Sequence, residues 1–272
     1  MGQRTPQTVL ITGASSGIGA GLARAHAGRG DRVLLLARRV ERLEALAAEL
    51  RAAGTSVQVH EADVTRDGAL AAAVAALEAE GHALHRVYAN AGFGVAGPLP
   101  ALTLDDYRRQ FETNVFGVLR TVYETLPALR RSRGQLVLVG SVAGHVAPPA
   151  TSAYAMSKFA VRALADSLRG DLARDGIAVT LLSPGFVDSD IRRTDNRGIL
   201  QDRAPDPIPA WLRVGTARAV REILRGVDRR RAEIIVTGHG KLIVFLVRHF
   251  PRFSRWLTLR AYGGRPEPRD PG

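Results

Sequence analysis

Two apolar patterns take turns along this chain. Short runs rich in Val, Ile and Leu read as strands at Thr8–Ile11, Val33–Ala37, Arg86–Ala89, Gln135–Val139, Ile177–Leu182 and Glu233–Val236, and Ser56–His60 alternates toward another. Between them lie longer segments with helical spacing: Ala20–Ala27, Val40–Ala53, Asp67–Glu80, Asp105–Leu129, Ser152–Ala173 and Thr216–Arg230. In Val40–Ala53 the apolar side chains Leu43, Leu46, Ala47 and Leu50 share one face. Thr103 with Asp106 three residues on has the form of a helix start. The pattern lapses at 185–214, which is rich in Asp, Arg and Pro. A stretch of this length inside a compact domain is expected to be a lid or binding segment. No internal repeat is visible.

The tail, 241–262, returns to helical spacing. Phe245, Leu246, His249, Phe250, Phe253, Trp256 and Leu257 recur among Arg248, Arg252, Arg255 and Arg260, and Pro251 should interrupt or kink the helix. The run Leu242–Val247 is far short of the ~20 residues that span a bilayer. Three readings stay open: packing against the body or another subunit, a cover for a substrate pocket, and a peripheral contact with anionic lipid at a membrane interface.

Composition narrows the classes. At 272 residues one large domain is expected. There are no cysteines, which excludes disulfides, thiolate metal sites and cysteine nucleophiles; no metal site is expected. The net charge is +12 and the pI about 11.2, a balance that attracts anions. The arginines are scattered and no aromatic residues interleave with them in a basic stripe, so nucleic acid is not expected as a partner. The start, MGQRTPQ, lacks an apolar signal core, and Pro6 stands where myristoylation needs Ser or Thr. The expected location is the cytoplasm, or peripherally at a membrane surface.

Candidate chemistry sits at the ends of the strand-like runs. Gly13, Gly17 and Gly19 follow the first one and open a helix, the arrangement that lets backbone N–H groups approach a pyrophosphate. The second run ends in Arg38 and Arg39, where a cofactor with a free ribose 2′-OH would meet an acid; guanidinium groups suit a 2′-phosphate, favouring NADP over NAD. Ser141 follows the fifth run. Tyr154 and Lys158, four residues apart, share one face of the next helix. An ammonium beside a phenol favours the phenolate, lowering a pKa that is ordinarily about 10. Of 38 Lys and Arg residues only Lys158 and Lys241 are lysine, so a Lys at 158 marks a place where the arginine fork does not serve. Asn114, amid Phe111, Val115, Phe116 and Leu119, is either a satisfied core amide or a functional relay.

In order and spacing, TGASSGIG (Thr12–Gly19), Asp63-Val64, Asn90-Ala91-Gly92, Asn114, Ser141, the Tyr154/Lys158 pair and Pro184-Gly185 resemble a short-chain dehydrogenase/reductase, over Thr8 to about Gly238. The resemblance implies an α/β, Rossmann-type doubly wound parallel sheet of about seven strands in a single domain. It implies that Ser15, Ser16 and Ile18 join the three glycines in the phosphate loop, that Asp63 and Val64 hold the adenine, and that Asn90, Ala91 and Gly92 brace the cofactor region. Ser141 would polarise the substrate oxygen, and Tyr154 would be the general acid or base. Lys158 would bind the nicotinamide ribose and lower the tyrosine pKa, and Asn114 would support a water-linked proton relay. Pro184, Gly185 and Val187 would line the nicotinamide, with Ser189 standing where the family usually has Thr.

The implied function is an NADP(H)-dependent oxidoreductase that moves a hydride between nicotinamide and a small-molecule carbonyl or alcohol. The alternative is a non-catalytic dinucleotide-binding scaffold or redox sensor. The apolar loop Val142–Ala150 and the candidate lid residues Phe186, Trp211 and Leu212 favour a hydrophobic ketone or secondary alcohol. The expected division is a domain at 1–240, with the lid at 185–214, and a basic amphipathic extension at 241–272. The expected assembly is a homodimer or homotetramer.

Overall fold

The computed structural model describes residues 5–201, 206 and 208–262; the remainder of the expected lid and extension, like the first four residues, lies outside them. Strands β1 (Thr8–Thr12), β2 (Arg32–Ala37), β3 (Val57–Glu61), β4 (Arg86–Ala89), β5 (Gln135–Val139), β6 (Ala178–Pro184) and β7 (Glu233–Val236) form one sheet. Their order is β3-β2-β1-β4-β5-β6-β7, and every pairing is parallel. The helices are α1 (Gly17–Ala27), α2 (Val40–Ala52), α3 (Ala71–Ala79), α4 (Leu104–Phe111), α5 (Gly117–Ser132), α6 (Ser152–Ala173), α7 (Thr216–Asp228), α8 (Gly238–His249) and α9 (Pro251–Tyr262).

Successive strand residues point to opposite faces of a sheet, so a strand buried on both sides must be apolar throughout. The central strands meet that demand by dividing their side chains. Val9, Ile11, Val33 and Leu35 pack with Leu22 of α1, Leu43 of α2 and Ile223 of α7. Leu10, Leu34, Leu136 and Leu138 face the other way, onto Leu77 of α3, Val122 of α5 and Val161 of α6. This three-layer sandwich leaves the strand order reversing between β1 and β4, and ligands of such sheets bind at the carboxyl ends beside that point.

Two elements differ from expectation, and a third, the tail, is interrupted at Pro251 as expected. The helix expected at Asp67–Glu80 is reduced to α3, because Gly68 takes a positive φ of 75° and Glu124 accepts the backbone N–H groups of Gly68 and Leu70 instead. The long helix expected at Asp105–Leu129 starts on the capping box of Thr103 and Asp106 but is split by a π-helical turn, Glu112–Phe116. Within that turn Asn114 is buried, whereas Phe116 faces solvent. The tail forms two helices that meet at Pro251, which cannot donate to the preceding turn and so opens α9. The division expected after residue 240 falls inside α8, whose Val244 is buried.

Candidate active site

The carboxyl ends of β1 to β6 deliver the site. After β1 the chain turns at Gly13, with a positive φ of 64°, so close to β4 that a Cβ there would sit 2.8 Å from Ala91 Cα. A Cβ on Gly19 would collide with the Gly13 carbonyl oxygen and the Asn90 amide. Gly17 (φ 52°) has Ser189 pressed against it, and Ile18 packs on the core beneath. Helix α1 starts at Ser16 with no side-chain cap and no acid in its first turn. Its leading N–H groups and positive dipole end are therefore disposed toward an anion.

Thr12 and Asn90 lock this turn to β4. The Thr12 hydroxyl accepts the N–H groups of Asn90 (3.0 Å) and Ala91 (3.1 Å), and the Asn90 amide donates to the carbonyls of Thr12 (2.9 Å) and Gly13 (3.2 Å). At the end of β2, Arg39 donates to the hydroxyls of Ser15 (2.9 Å) and Ser16 (3.1 Å), which aims a guanidinium across the glycine turn. Arg38 is exposed beside it. Burial pushes the Asp63 carboxyl up, but bonds from Thr65 and the charges of Arg38 and Arg66 outweigh that and hold it below its ordinary value. Val64 is buried, packed where a Cβ on Gly117 would strike it.

Ser141 leaves β5 in extended backbone and its hydroxyl accepts the Ala143 N–H (3.1 Å). Helix α6 carries Tyr154 and Lys158 one turn apart, the ammonium 5.8 Å from the centre of the phenol ring. Lys158 is buried and donates to the Val139 carbonyl (2.9 Å). Here the electrostatics depart from expectation. Burial raises the Tyr154 phenol above its ordinary value; the Ser141 hydroxyl, and then the Arg192 guanidinium, pull against it. Burial draws Lys158 itself down to about 8, because a charge enclosed by protein loses its water.

Asn114 is a satisfied amide. Its oxygen accepts the Phe93 N–H (3.1 Å), and its nitrogen donates to the Phe93 carbonyl (3.0 Å) and to Ser157 Oγ (3.1 Å). With both donors committed, a relay through Asn114 is left with its oxygen's second lone pair or the backbone of the π turn, where the ladder is shifted and Gly117 N–H reaches back to Glu112.

The model of the short chain dehydrogenase family matches residues 7–199. The chain belongs to the short-chain dehydrogenase family. A relative from Myxococcus xanthus, an uncharacterized oxidoreductase, is 38% identical over 235 residues, which cover 86% of this chain and 88% of its own. Among solved structures, a short-chain dehydrogenase/reductase from Burkholderia phymatum in complex with NAD is 27% identical with a TM-score of 0.80, the match covering 93% of this chain and 96% of that one. A short-chain dehydrogenase from Sphingobium yanoikuyae in complex with NADPH is 29% identical with a TM-score of 0.74, covering 97% and 98%. The chain is thus an oxidoreductase of this family, and both of these solved relatives hold a nicotinamide dinucleotide.

The residues present fit such a cofactor: an uncapped helix start, glycines with no room for a side chain, and a buried lysine with a single carbonyl partner named above. On the far side of a dehydrogenase site, Pro184 pairs with Val236 at the end of β6, and Gly185 lies where a Cβ would strike Thr237 and His239. Val187 is buried and bridges to Val214. Ser189 and Asp190 roof the glycine turn, where Asp190 pairs with Arg42 (3.1 Å). The expected apolar lid contacts are only partly formed. Phe186 stacks on His239, while Trp211 is 83% exposed.

Two site-side groups were not singled out in the sequence. Arg192, whose charge acts on Tyr154, is gripped by both oxygens of Asp206 (2.8 and 2.7 Å), whose carboxyl it holds down to about 2. His145, buried just beyond Ser141, contacts Ser183 (3.1 Å) and Glu233 (3.2 Å), and Arg248 of α8 holds the other oxygen of Glu233 (2.6 Å). Among many scattered arginines, Arg192 carries no spacing signal that separates it from its neighbours.

Proposed function

We propose that the chain is an NADP(H)-dependent oxidoreductase acting on a CH–OH group, or on the corresponding carbonyl, of a hydrophobic ketone or secondary alcohol. The observation that carries this reading is the meeting of Ser141, Tyr154 and Lys158 beside a glycine turn crossed by Arg39. When bound, the nicotinamide supplies or takes the hydride. Ser141 holds the substrate oxygen by a hydrogen bond. Tyr154 gives that oxygen a proton in reduction and removes it in oxidation. A phenol kept neutral by burial is the right form for the acid role at neutral pH. Lys158, charged below about pH 8, supplies positive potential and donors at the ribose end. Arg39, held by Ser15 and Ser16, and Arg38 beside it face the 2′-phosphate that distinguishes NADP from NAD. Asp63 and Val64 bound the adenine, and Asn90, Ala91 and Gly92 brace the middle of the cofactor. Pro184, Gly185, Val187 and Ser189 flank the nicotinamide.

The segment 185–214 acts as the substrate cover, supported by Asn196, whose amide both donates to and accepts from the backbone of Ala96 (3.0 Å each). Tyr123 of α5 and Met156 of α6, both more than half exposed, with Phe116 at 48%, supply an apolar face suited to a homodimer. Oxidation of NADPH and of NADH, followed with a panel of aliphatic, aromatic and polycyclic ketones, tests the reading. Turnover with NADPH and an apolar ketone is the expected result. Cofactor binding without turnover on any carbonyl or alcohol would overturn it.

A further inference from the structure

Helix α9 is built inside out. A surface helix of a water-soluble body turns its apolar stripe inward and its polar residues outward. In α9 the partly covered positions are Ser254 and Thr258, one turn apart, and their hydroxyls donate to the Pro251 and Ser254 carbonyls of their own helix. A groove of about 510 Å³ separates this side from the loop Val146–Ser152. Leu259 lines that groove, and the other large apolar side chains face solvent: Phe250 52%, Phe253 51%, Trp256 52% and Leu257 44% exposed, with Phe245 of α8 at 52% beside them. Phe253 and Trp256 stack at 5.9 Å, and Arg260 lies over the Trp256 ring at 5.5 Å.

The charges on the tail fall into two groups. Lys241 and Arg248 of α8 are paired with Glu222 and Glu233, which fastens that helix to the body. Arg252 and Arg255 of α9 form no ion pair with a carboxylate among the described residues. The sequence 241–262 contains no Asp or Glu at all. A second copy of this face would set arginine against arginine, in a protein whose net charge is already +12. An anionic surface with an apolar layer beneath it complements both features at once. Aromatic rings sit at the headgroup boundary, and arginine stems lie along the apolar surface with their heads among phosphates. Among the described residues no helix is long and apolar enough to cross a membrane, so the fit is to a helix lying on one.

We propose that α9, with the outer edge of α8, is a docking surface for an anionic lipid bilayer. The aromatic residues supply insertion and Arg252 and Arg255 supply the charge attraction. The site lies outside the catalytic groups and makes no demand on the dehydrogenase reading.

The chain has two tryptophans, Trp211 and Trp256, so Trp211→Phe leaves Trp256 as the sole indole reporter. Full-length protein is mixed with vesicles of phosphatidylcholine alone, or of phosphatidylcholine with phosphatidylglycerol, and sedimented. The expected result is sedimentation with the anionic vesicles only, loss of binding in about 1 M salt, where the screening length is about 3 Å, and a blue shift of Trp256 emission on binding. Replacing both Phe253→Ser and Trp256→Ser should lower the bound fraction about tenfold or more. Turnover on a soluble ketone without vesicles should not change. Protein that remains in the supernatant, a double variant that sediments like its parent, or an unshifted Trp256 emission would each overturn the proposal. So would a lipid-free dimer, by analytical ultracentrifugation, that the double variant converts to monomer, since a second copy would then be the occupant. If the double variant fails to fold, the Trp256 shift in its parent still decides.

Discussion

Two polar clusters at opposite ends of one sheet each contain a tyrosine. At the amino ends of the strands, Tyr88 of β4 meets His26 at the end of α1 (3.0 Å), and His26 meets Asp31 before β2 (2.7 Å). Asp31 in turn accepts the Gln7 N–H (2.8 Å). At the carboxyl ends, Tyr154 meets Ser141 and Lys158. Burial raises the phenol pKa in both. The difference lies in partners. The Tyr88 cluster closes on itself: its phenol donates to a neutral His26, which donates to the Asp31 carboxylate. In the Tyr154 cluster, Lys158 has three donors and one carbonyl partner, and Tyr154 is only partly covered. Saturated polar groups stabilise a fold; groups held in place with capacity left over can act on a ligand.

The sharpest way to break that contrast is Tyr154→Phe. It removes the phenolic proton and keeps the ring, so turnover should fall by about 10²–10⁴-fold while NADPH binding and melting temperature change little. Steady-state kinetics with a cofactor titration checks this. Near-normal turnover would remove Tyr154 from the chemistry.

Lys158 gives the next largest effect and a pH signature. Burial lowers its pKa to about 8, so the ammonium is charged at neutral pH and loses its proton as pH rises through that value. Ketone reduction should therefore decline on the alkaline side of about pH 8. Lys158→Arg keeps its charge throughout that range and should erase the alkaline limb. It should also lower activity at every pH, because a planar fork cannot take the place of the compact ammonium that is buried on the Val139 carbonyl. A variant with full activity would show that any cation serves.

Cofactor choice should respond less steeply. Arg39→Ala removes the guanidinium held by Ser15 and Ser16. One charge-assisted contact is worth about 1.5–3 kcal/mol, so the preference for NADPH over NADH should fall about tenfold to a hundredfold. Arg38→Asp should act in the same direction by repelling the 2′-phosphate. Paired kinetics with both cofactors measures it, and a ratio unchanged in both variants would mean that neither arginine reads the phosphate.

The sequence disclosed one of the two clusters far better than the other, for physical reasons. Strand ends, glycine turns and a Tyr–Lys pair at helical spacing are local patterns, and they led to β1, β4, β5 and α6 with nearly the observed bounds. The strand-to-face division also follows from local alternation. What stayed hidden depends on contacts between distant segments. His26 and Tyr88 are 62 residues apart, and no spacing rule joins them. Arg192, whose charge acts on Tyr154, is held by Asp206, inside a segment without periodicity. The π turn at Asn114 appeared as plain helix, because a one-residue slip of the ladder leaves the apolar pattern almost intact. The tail's apolar stripe was visible, but not that α9 turns it outward.

Breaking the closed cluster should cost stability instead of rate. Tyr88→Phe leaves His26 Nε2 buried without its donor, at a cost of about 1–3 kcal/mol, and lowers the melting temperature while turnover of the folded enzyme persists. The cluster also gives the smallest expected effect, a pH slope. Burial lowers the His26 pKa below its ordinary value, against the opposing bond to Asp31. In the unfolded chain His26 titrates near about 6.5. Between the lowered folded pKa and about 6.5, the unfolded state therefore binds more protons, and stability rises with pH. Acidification from pH 7.5 toward 5 should lower the melting temperature, with the His26 share setting in below about pH 6.5. His26→Gln removes that titration, so its melting temperature should start lower and fall less steeply over the same range. Equal slopes in both proteins would show that His26 takes up its proton without leaving the fold. The cluster around Tyr88 would then have the spare capacity that sets the Tyr154 cluster apart.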